Sequence, residues 1–179
     1  VNITDMNGTT PLIYACKEGL GKIACQLIDA GGDINAFDCN NDSPLLCACR
    51  QKLAKVALDL ITRGASTFLR DCTGKCALIL ACYAGLTDVA VALINRNAST
   101  ASRSKDANTP LFGALAHGMT DVAIMIIERS LRVRLDDKDK NGDCALAIAL
   151  DKGLTDVILA LFDKGCLLYT SPSPRDVRS

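Results

Sequence analysis

The sequence repeats itself, and that constrains its fold more than any composition figure. Thr10-Pro11-Leu12, Ser43-Pro44-Leu45, Cys76-Ala77-Leu78, Thr109-Pro110-Leu111 and Cys144-Ala145-Leu146 follow one another at spacings of 33, 33, 33 and 35 residues. A period of this size marks stacked supersecondary units, none of which can bury its apolar face alone. The stretch from Asp71 to Asn97 shows the unit most clearly, with apolar segments Ala77 to Tyr83 and Val89 to Ile94 separated by Gly85. Each is shorter than the roughly 12–15 residues an isolated helix needs in water, so the segments read as a helix pair that must pack on neighbours.

Punctuation supports this reading. A break recurs at Gly19, Gly85, Gly118 and Gly153, with Lys52 the exception, and the second helix is expected to end at Gly31, Gly64, Asn97 and Gly165. These residue types best tolerate the left-handed conformation that terminates a helix. Ser130 departs from the pattern, and a two-residue insertion follows it. The expected units are 5–37, 38–70, 71–103, 104–138 and 139–165, with helices in the first two near 9–17, 20–29, 43–50 and 53–62. Thr87-Asp88, Thr120-Asp121 and Thr155-Asp156 are expected to place a capping hydroxyl and a carboxylate at helix amino ends. Ser130 to Leu135 alternates polar and apolar residues, which predicts a short half-exposed strand.

Over residues 5 to 165 the chain resembles the ankyrin repeat family. The resemblance rests on the 33-residue period, on the Asp opening units at Asp5, Asp38, Asp71 and Asp139, and on the Thr-Pro-Leu or Ser-Pro-Leu triplets. Gly-Gly-Asp-Ile-Asn at 31–35 resembles the family's Gly-Ala-Asp-Val-Asn. It implies an all-α fold, a solenoid of stacked helix-turn-helix units with short hairpin or loop fingers. The family's usual His after the triplet is replaced by Ile13, Leu46, Ile79, Phe112 and Ala147, so apolar packing must stand in for a polar network.

Several other readings fail on particular residues. Residues 76–94 would pass a hydropathy scan for a membrane span, but Asp88 at their interior costs about 2.5–3.5 kcal/mol, and the Gly85-to-Asp88 turn recurs in the other units. Asp137 to Asp143 fits the first half of a calcium loop, yet the twelfth position is Ile148 where a bidentate Glu is required. Gly19-Leu20-Gly21-Lys22 lacks the flanking Gly and Ser or Thr of a phosphate loop, having Cys16 and Ile23 there. Ten cysteines invite a metal, but Cys16, Cys49 and Cys82 lie 33 apart, Cys39 and Cys72 share a second register, and Cys76 and Cys144 share a third. That regularity is expected of small packing residues and not of converging ligands. No metal, cofactor or catalytic site is expected. The thiol count in a helical repeat fits a reducing, cytoplasmic compartment. Zero formal charge offers no electrostatic footprint for nucleic acid.

The resemblance implies a protein partner held along the concave face of fingers and first helices. Lys17, Arg50, Arg70, Lys75, Tyr83, Arg103 and His117 map to that face. Arg50, Arg70, Tyr83 and Arg103 are expected to centre it, favouring a partly acidic partner, because Tyr and Arg often carry interface energy. The alternative is the recognition arm of a larger enzyme, such as a kinase or ubiquitin ligase, or of an ion channel. Val1 falls in the register of a unit's closing finger, so the chain reads as a fragment. Cys166 to Asp176 matches the conceptual translation of a transposase-type sequencing adapter, so 166–179 is expected to be a disordered, non-native tail.

Overall fold

The computed structural model describes residues 1–130, 137–139 and 141–169, the side chains of the last four excepted. Within them lie ten helices in five pairs. The pairs are α1 Pro11–Lys17 with α2 Gly21–Asp29, α3 Pro44–Arg50 with α4 Ala54–Thr62, α5 Ala77–Ala84 with α6 Thr87–Asn95, α7 Pro110–Ala116 with α8 Thr120–Arg129, and α9 Ala145–Asp151 with α10 Thr155–Tyr169. First helices pack on first helices and second on second, giving two layers in which each unit touches only its sequence neighbours. Among the described residues, β structure is limited to isolated antiparallel bridges, Arg70 with Cys76 and Lys138 with Cys144, at the bases of two fingers.

Three first helices are started by side chains, while α5 and α9 follow Cys76 and Cys144 at the N-cap without a side-chain cap bond. Thr10, Ser43 and Thr109 sit extended at the N-cap and accept from the N–H of Ile13, Leu46 and Phe112, with Pro filling the first helical position. Second helices start differently from the sequence expectation. Thr87 and Thr120 are already helical, and the caps are Leu86 and Met119, which make no side-chain cap bond. Leucine is tolerated there because the preceding tight turn satisfies the backbone: Leu86 N–H bonds the Ala81 carbonyl at 3.0 Å. Asp88, Asp121 and Asp156 do stand in the first turns of α6, α8 and α10, where the dipole favours them.

The core is a set of columns, one residue per unit. Ile13, Leu46, Ile79 and Phe112 are each at most 4% exposed, so apolar packing does replace the expected histidine; Ala147, at the same position in the last unit, is exposed. Cys16, Cys49 and Cys82 form another fully buried column, and burial pushes the thiols of Cys16 and Cys49 up to about 12. Cys39 and Cys72 correct the packing reading of the cysteines, because they lie exposed on fingers.

A second column runs along the ends of the second helices and has a clear sequence signal, cations 33, 33 and 35 apart. Arg63 reaches the Asp29 carboxylate; Arg96, Arg129 and Lys164 donate to the carbonyls of Thr62, Ile94 and Glu128. Each puts positive charge at the carboxyl end of the preceding unit's helix, where free carbonyls collect.

Two expected helix boundaries behave differently. Ser130 closes α8 in an extended conformation, in keeping with its departure from the glycine pattern. Gly165 does not end α10, which continues to Tyr169 into the segment set aside as tail. A single helical glycine costs only about 1 kcal/mol, and no proline follows until Pro172. The expected strand at 130–135 and residues 170–179 lie outside the described residues, apart from Ser130.

The turn between the helices of a unit requires a left-handed residue. Gly19, Gly85, Gly118 and Gly153 take φ between 64° and 74°, and Lys52 is forced to the same region at 58°. A side chain there costs about 1–2 kcal/mol, partly offset by the lower entropy of the unfolded chain. Lys52→Gly is therefore expected to raise stability by about 0.5–1 kcal/mol, read as a rise of about 1–4 °C in the thermal midpoint.

Candidate functional site

Each finger is built by its first residue. The Asp38 carboxylate accepts the N–H groups of Asn40 and Asp42 at 2.9 Å, and Asp71 accepts those of Thr73 and Lys75 at 2.9 Å. Asp5 and Asp139 repeat the arrangement. A short acceptor side chain reaching its own backbone two and four residues on is the turn-forming habit of Asp. Ser104 replaces Asp in the fourth finger and accepts only from Asn108 N–H, at 3.1 Å. Backbone bonds then stitch finger to finger: Cys39 N–H to Asn7, Cys72 N–H to Asn40, and Lys105 N–H to Thr73.

Lys17 and Arg50, at the ends of α1 and α3, bind the same carboxylates. Lys17 pairs with Asp38 and lies 3.3 Å from Asp42; Arg50 bridges Asp42 at 2.8 Å and Asp71 at 3.1 Å. The result is a continuous ladder of alternating charge across the first three units. The hydrogen bond to Asp42 is the largest influence raising the Arg50 guanidinium above its ordinary value. Burial works to raise the Asp38 and Asp71 carboxyls. Lys17 and finger N–H groups outweigh it at Asp38; Thr73, the finger N–H groups and Arg50 do so at Asp71, and both settle below the usual range.

Tyr83 and His117 are brought together. The Tyr83 ring lies over Gly113, where a Cβ would sit 2.7 Å from Cδ2 and 2.9 Å from Cys82 Cβ. Burial, then the negative charge of Asp139, pushes the Tyr83 phenol up to about 12. His117 Nε2 lies 2.8 Å from the Tyr83 carbonyl. A carbonyl only accepts, so that nitrogen carries the proton. Gln51, at the equivalent position two units earlier, likewise donates to the Lys17 carbonyl.

Arg70 and Arg103 stand in one row with exposed Phe37, at 33-residue intervals along the finger stems. Arg70 donates to the Gly74 carbonyl at 3.1 Å and to Ser102 Oγ at 3.0 Å, and Arg103 to Asp137 at 3.0 Å. Lys75, on a fingertip, has its ammonium 3.6 Å from Asp106. Every cation of the expected surface therefore has an acceptor within the molecule. Sequence reasoning grouped these residues on the fingers and first helices but missed that Asp38, Asp42 and Asp71 hold Lys17 and Arg50. The signal was available as an Asp opening each unit 21 residues after a cation, at Lys17 with Asp38 and Arg50 with Asp71. Among the described residues, no three Cys, His, Asp or Glu side chains converge to hold a metal, and no helix is long and apolar enough to cross a membrane.

Two outcomes follow. Gly113→Ala should cost about 1–3 kcal/mol, because Tyr83 and Cys82 both have to shift, and chemical denaturation reads this directly. The depressed Asp38 and Asp71 carboxyls contribute stability that is complete above their unfolded value near 4 and is lost as pH falls through their lower folded values. Asp71→Asn should flatten that acid slope and lower stability at neutral pH by about 1 kcal/mol, measured by urea titration across the acid range.

The comparisons agree with this architecture. No curated protein matches the chain. A family model described as ankyrin repeats (3 copies) matches residues 1–71, 48–137 and 78–171, overlapping along nearly the whole length. The helix pairs, the left-handed turns and the Asp-built fingers are thus accounted for together, and the chain belongs to the ankyrin repeat family.

Proposed function

We propose that the chain is a scaffold that binds a partner protein along the edge formed by its fingers and first helices. Ankyrin repeats are protein-interaction modules; the choice of this edge is our reading. The observation that carries it is the row of Phe37, Arg70 and Arg103, an exposed aromatic and two guanidinium groups one unit apart on finger stems. Phe37 is 60% exposed and the Arg103 side chain 44%. Aromatic and Arg side chains presented on a rigid backbone are efficient anchors, because little further entropy is lost on binding.

Tyr83, half-buried and fixed over Gly113, extends this row onto the first helices, with His117 beside it. A partly acidic partner suits Arg70 and Arg103, which can exchange a neutral or exposed acceptor for a partner carboxylate. Lys17 and Arg50 act chiefly in the ladder, and Lys75 contributes a fingertip charge. No catalytic role is assigned to any described residue. The nine cysteines whose side chains are described are all free, which supports a reducing, cytoplasmic setting.

Peptides selected from a random display library against the wild-type protein provide the test. The selected set should be enriched in Asp and Glu. Arg70→Ala, Tyr83→Ala and Arg103→Ala should each weaken the selected peptides by about 5- to 30-fold. Lys17→Ala and Arg50→Ala should mainly lower the thermal midpoint. Unchanged affinity in all three of the first group would overturn the assignment of this edge.

A further inference from the structure

From the second finger to the fourth, finger and preceding first-helix end match in charge; at the fifth they do not. Lys17, Arg50, Tyr83, Ala116 and Asp151 share one register at the ends of the first helices. Asp38, Asp71, Ser104 and Asp139 share a second, on the fingers, and Asp42, Lys75, Asn108 and Asp143 a third. Lys17 binds Asp38 and Asp42 of the next unit, and Arg50 binds Asp71 of the next. At the fourth finger both sides turn neutral together, with Tyr83 in the cation register and Ser104 and Asn108 on the finger. At the fifth the carboxylates return as Asp139 and Asp143, but the cation register holds Ala116.

The fifth finger nevertheless has the geometry of the second. Asp139 Oδ1 accepts the N–H groups of Asn141 and Asp143 at 2.8 and 3.0 Å, as Asp38 Oδ1 accepts those of Asn40 and Asp42. Where Lys17 bonds Asp38 Oδ2, Asp139 Oδ2 has the Asn141 side-chain amide at 3.3 Å. Arg50, which reaches Asp42 from the finger's own unit, is replaced by Asp151. Asp151 is the last residue of α9, where the helix dipole opposes a carboxylate and favours the cations that end α1 and α3. Asp139, Asp143 and Asp151 line one groove with Ala116, and among the described residues none of the three carboxylates has an ion pair; Lys152 borders the groove without pairing to any of them. Both cation registers lie within the fourth and fifth units themselves, so further units on either side would not supply them.

We propose that this groove receives an arginine of a partner protein, whose guanidinium takes the place that Lys17 and Arg50 fill at the second finger and is held by Asp139, Asp143 and Asp151. The molecule itself shows what the arrangement holds: an ammonium shared by Asp38 and Asp42, and a guanidinium bridging Asp42 and Asp71. Arginine is the better fit, because its rigid fork of five donors can engage several carboxylates at once, and Ala116 leaves room for the incoming stem. Arg70 and Arg103 are not needed for this contact. A partner using both would lay an acidic stretch on the finger stems and an arginine at the fifth finger, which fixes its direction along the stack.

N-acetyl-arginine amide, an arginine residue without terminal charges, is the probe, titrated into the full isotope-labelled chain and followed by NMR under reducing conditions. Saturating backbone shifts should concentrate at Ala116, Asn141, Asp143 and Asp151, and the neutral isostere N-acetyl-citrulline amide should produce none there. Asp143→Asn combined with Asp151→Asn should weaken the probe by about 5-fold or more. Ala116→Arg, which supplies the guanidinium from within as Lys17 supplies its ammonium to the second finger, should abolish probe binding and raise the thermal midpoint by about 1–4 °C. Asp139 is kept in every variant because it closes the finger, and the spectra themselves report whether each variant is folded. Shifts that are absent or scattered over the surface, shifts of equal size with citrulline, or probe binding unchanged by these substitutions would overturn the proposal. Acidic peptides at Arg70 and Arg103 would be unaffected by any of these results, so the two readings fail separately.

Discussion

No unit of this molecule holds enough structure to stand alone, and the rest of the architecture follows from that shortfall. Apart from α10, its helices are seven to ten residues long, below the length at which a helix persists in water. The columns at positions 13, 16, 23 and 28 of the first unit and their repeats remedy this by packing every helix pair on at least one neighbour and the three interior pairs on two. Removing one buried Leu or Ile from such a column would cost about 2–5 kcal/mol, comparable to much of what a domain has in total. The period of 33 is therefore a condition of folding, because any drift in it would take the columns out of line.

Polar chemistry is arranged around the same repeat. A finger is first closed by its own Asp, which needs no partner from elsewhere. In the second and third units that carboxylate, Asp38 or Asp71, then has a free side for Lys17 or Arg50. One group thus serves local turn formation and long-range registration together. Where Ser104 stands in place of Asp, the finger keeps one side-chain bond and has no ionic share in the ladder. Ala107 in that finger also takes a left-handed φ of 60°, a position that Gly8, Gly74 and Gly142 fill elsewhere. The fourth finger is by both measures the least favourably built of those described.

Much of this was legible in the residues. Triplet spacing located every first helix to within about two residues, and the glycine breaks located the turns, because both signals arise from backbone chemistry that acts locally. Lys52 illustrates the limit: its side chain argues against a left-handed turn, and the four aligned glycines overrule it through the geometry of the stack. The caps of the second helices were misread for a related reason. A Thr beside an Asp is a good local cap, but the tight turn puts Leu86 and its equivalents at the cap position and draws Thr into the first helical turn. The position of the expected surface residues on the fingers and first-helix ends was legible from the repeat register, whereas the engagement of their charges within the molecule was not. Charge partners 21 residues apart meet only once the units are stacked, and no local pattern reports this.

Each unit touches only the units before and after it, so tension applied between the two ends has no long-range tie to load. The array would yield as a zipper does, from one end and in steps. A freed unit of 33 residues releases about 110 Å of extended chain before the next one bears the force. Extension would therefore come in increments of one unit, while the units that remain keep the neighbours they pack on.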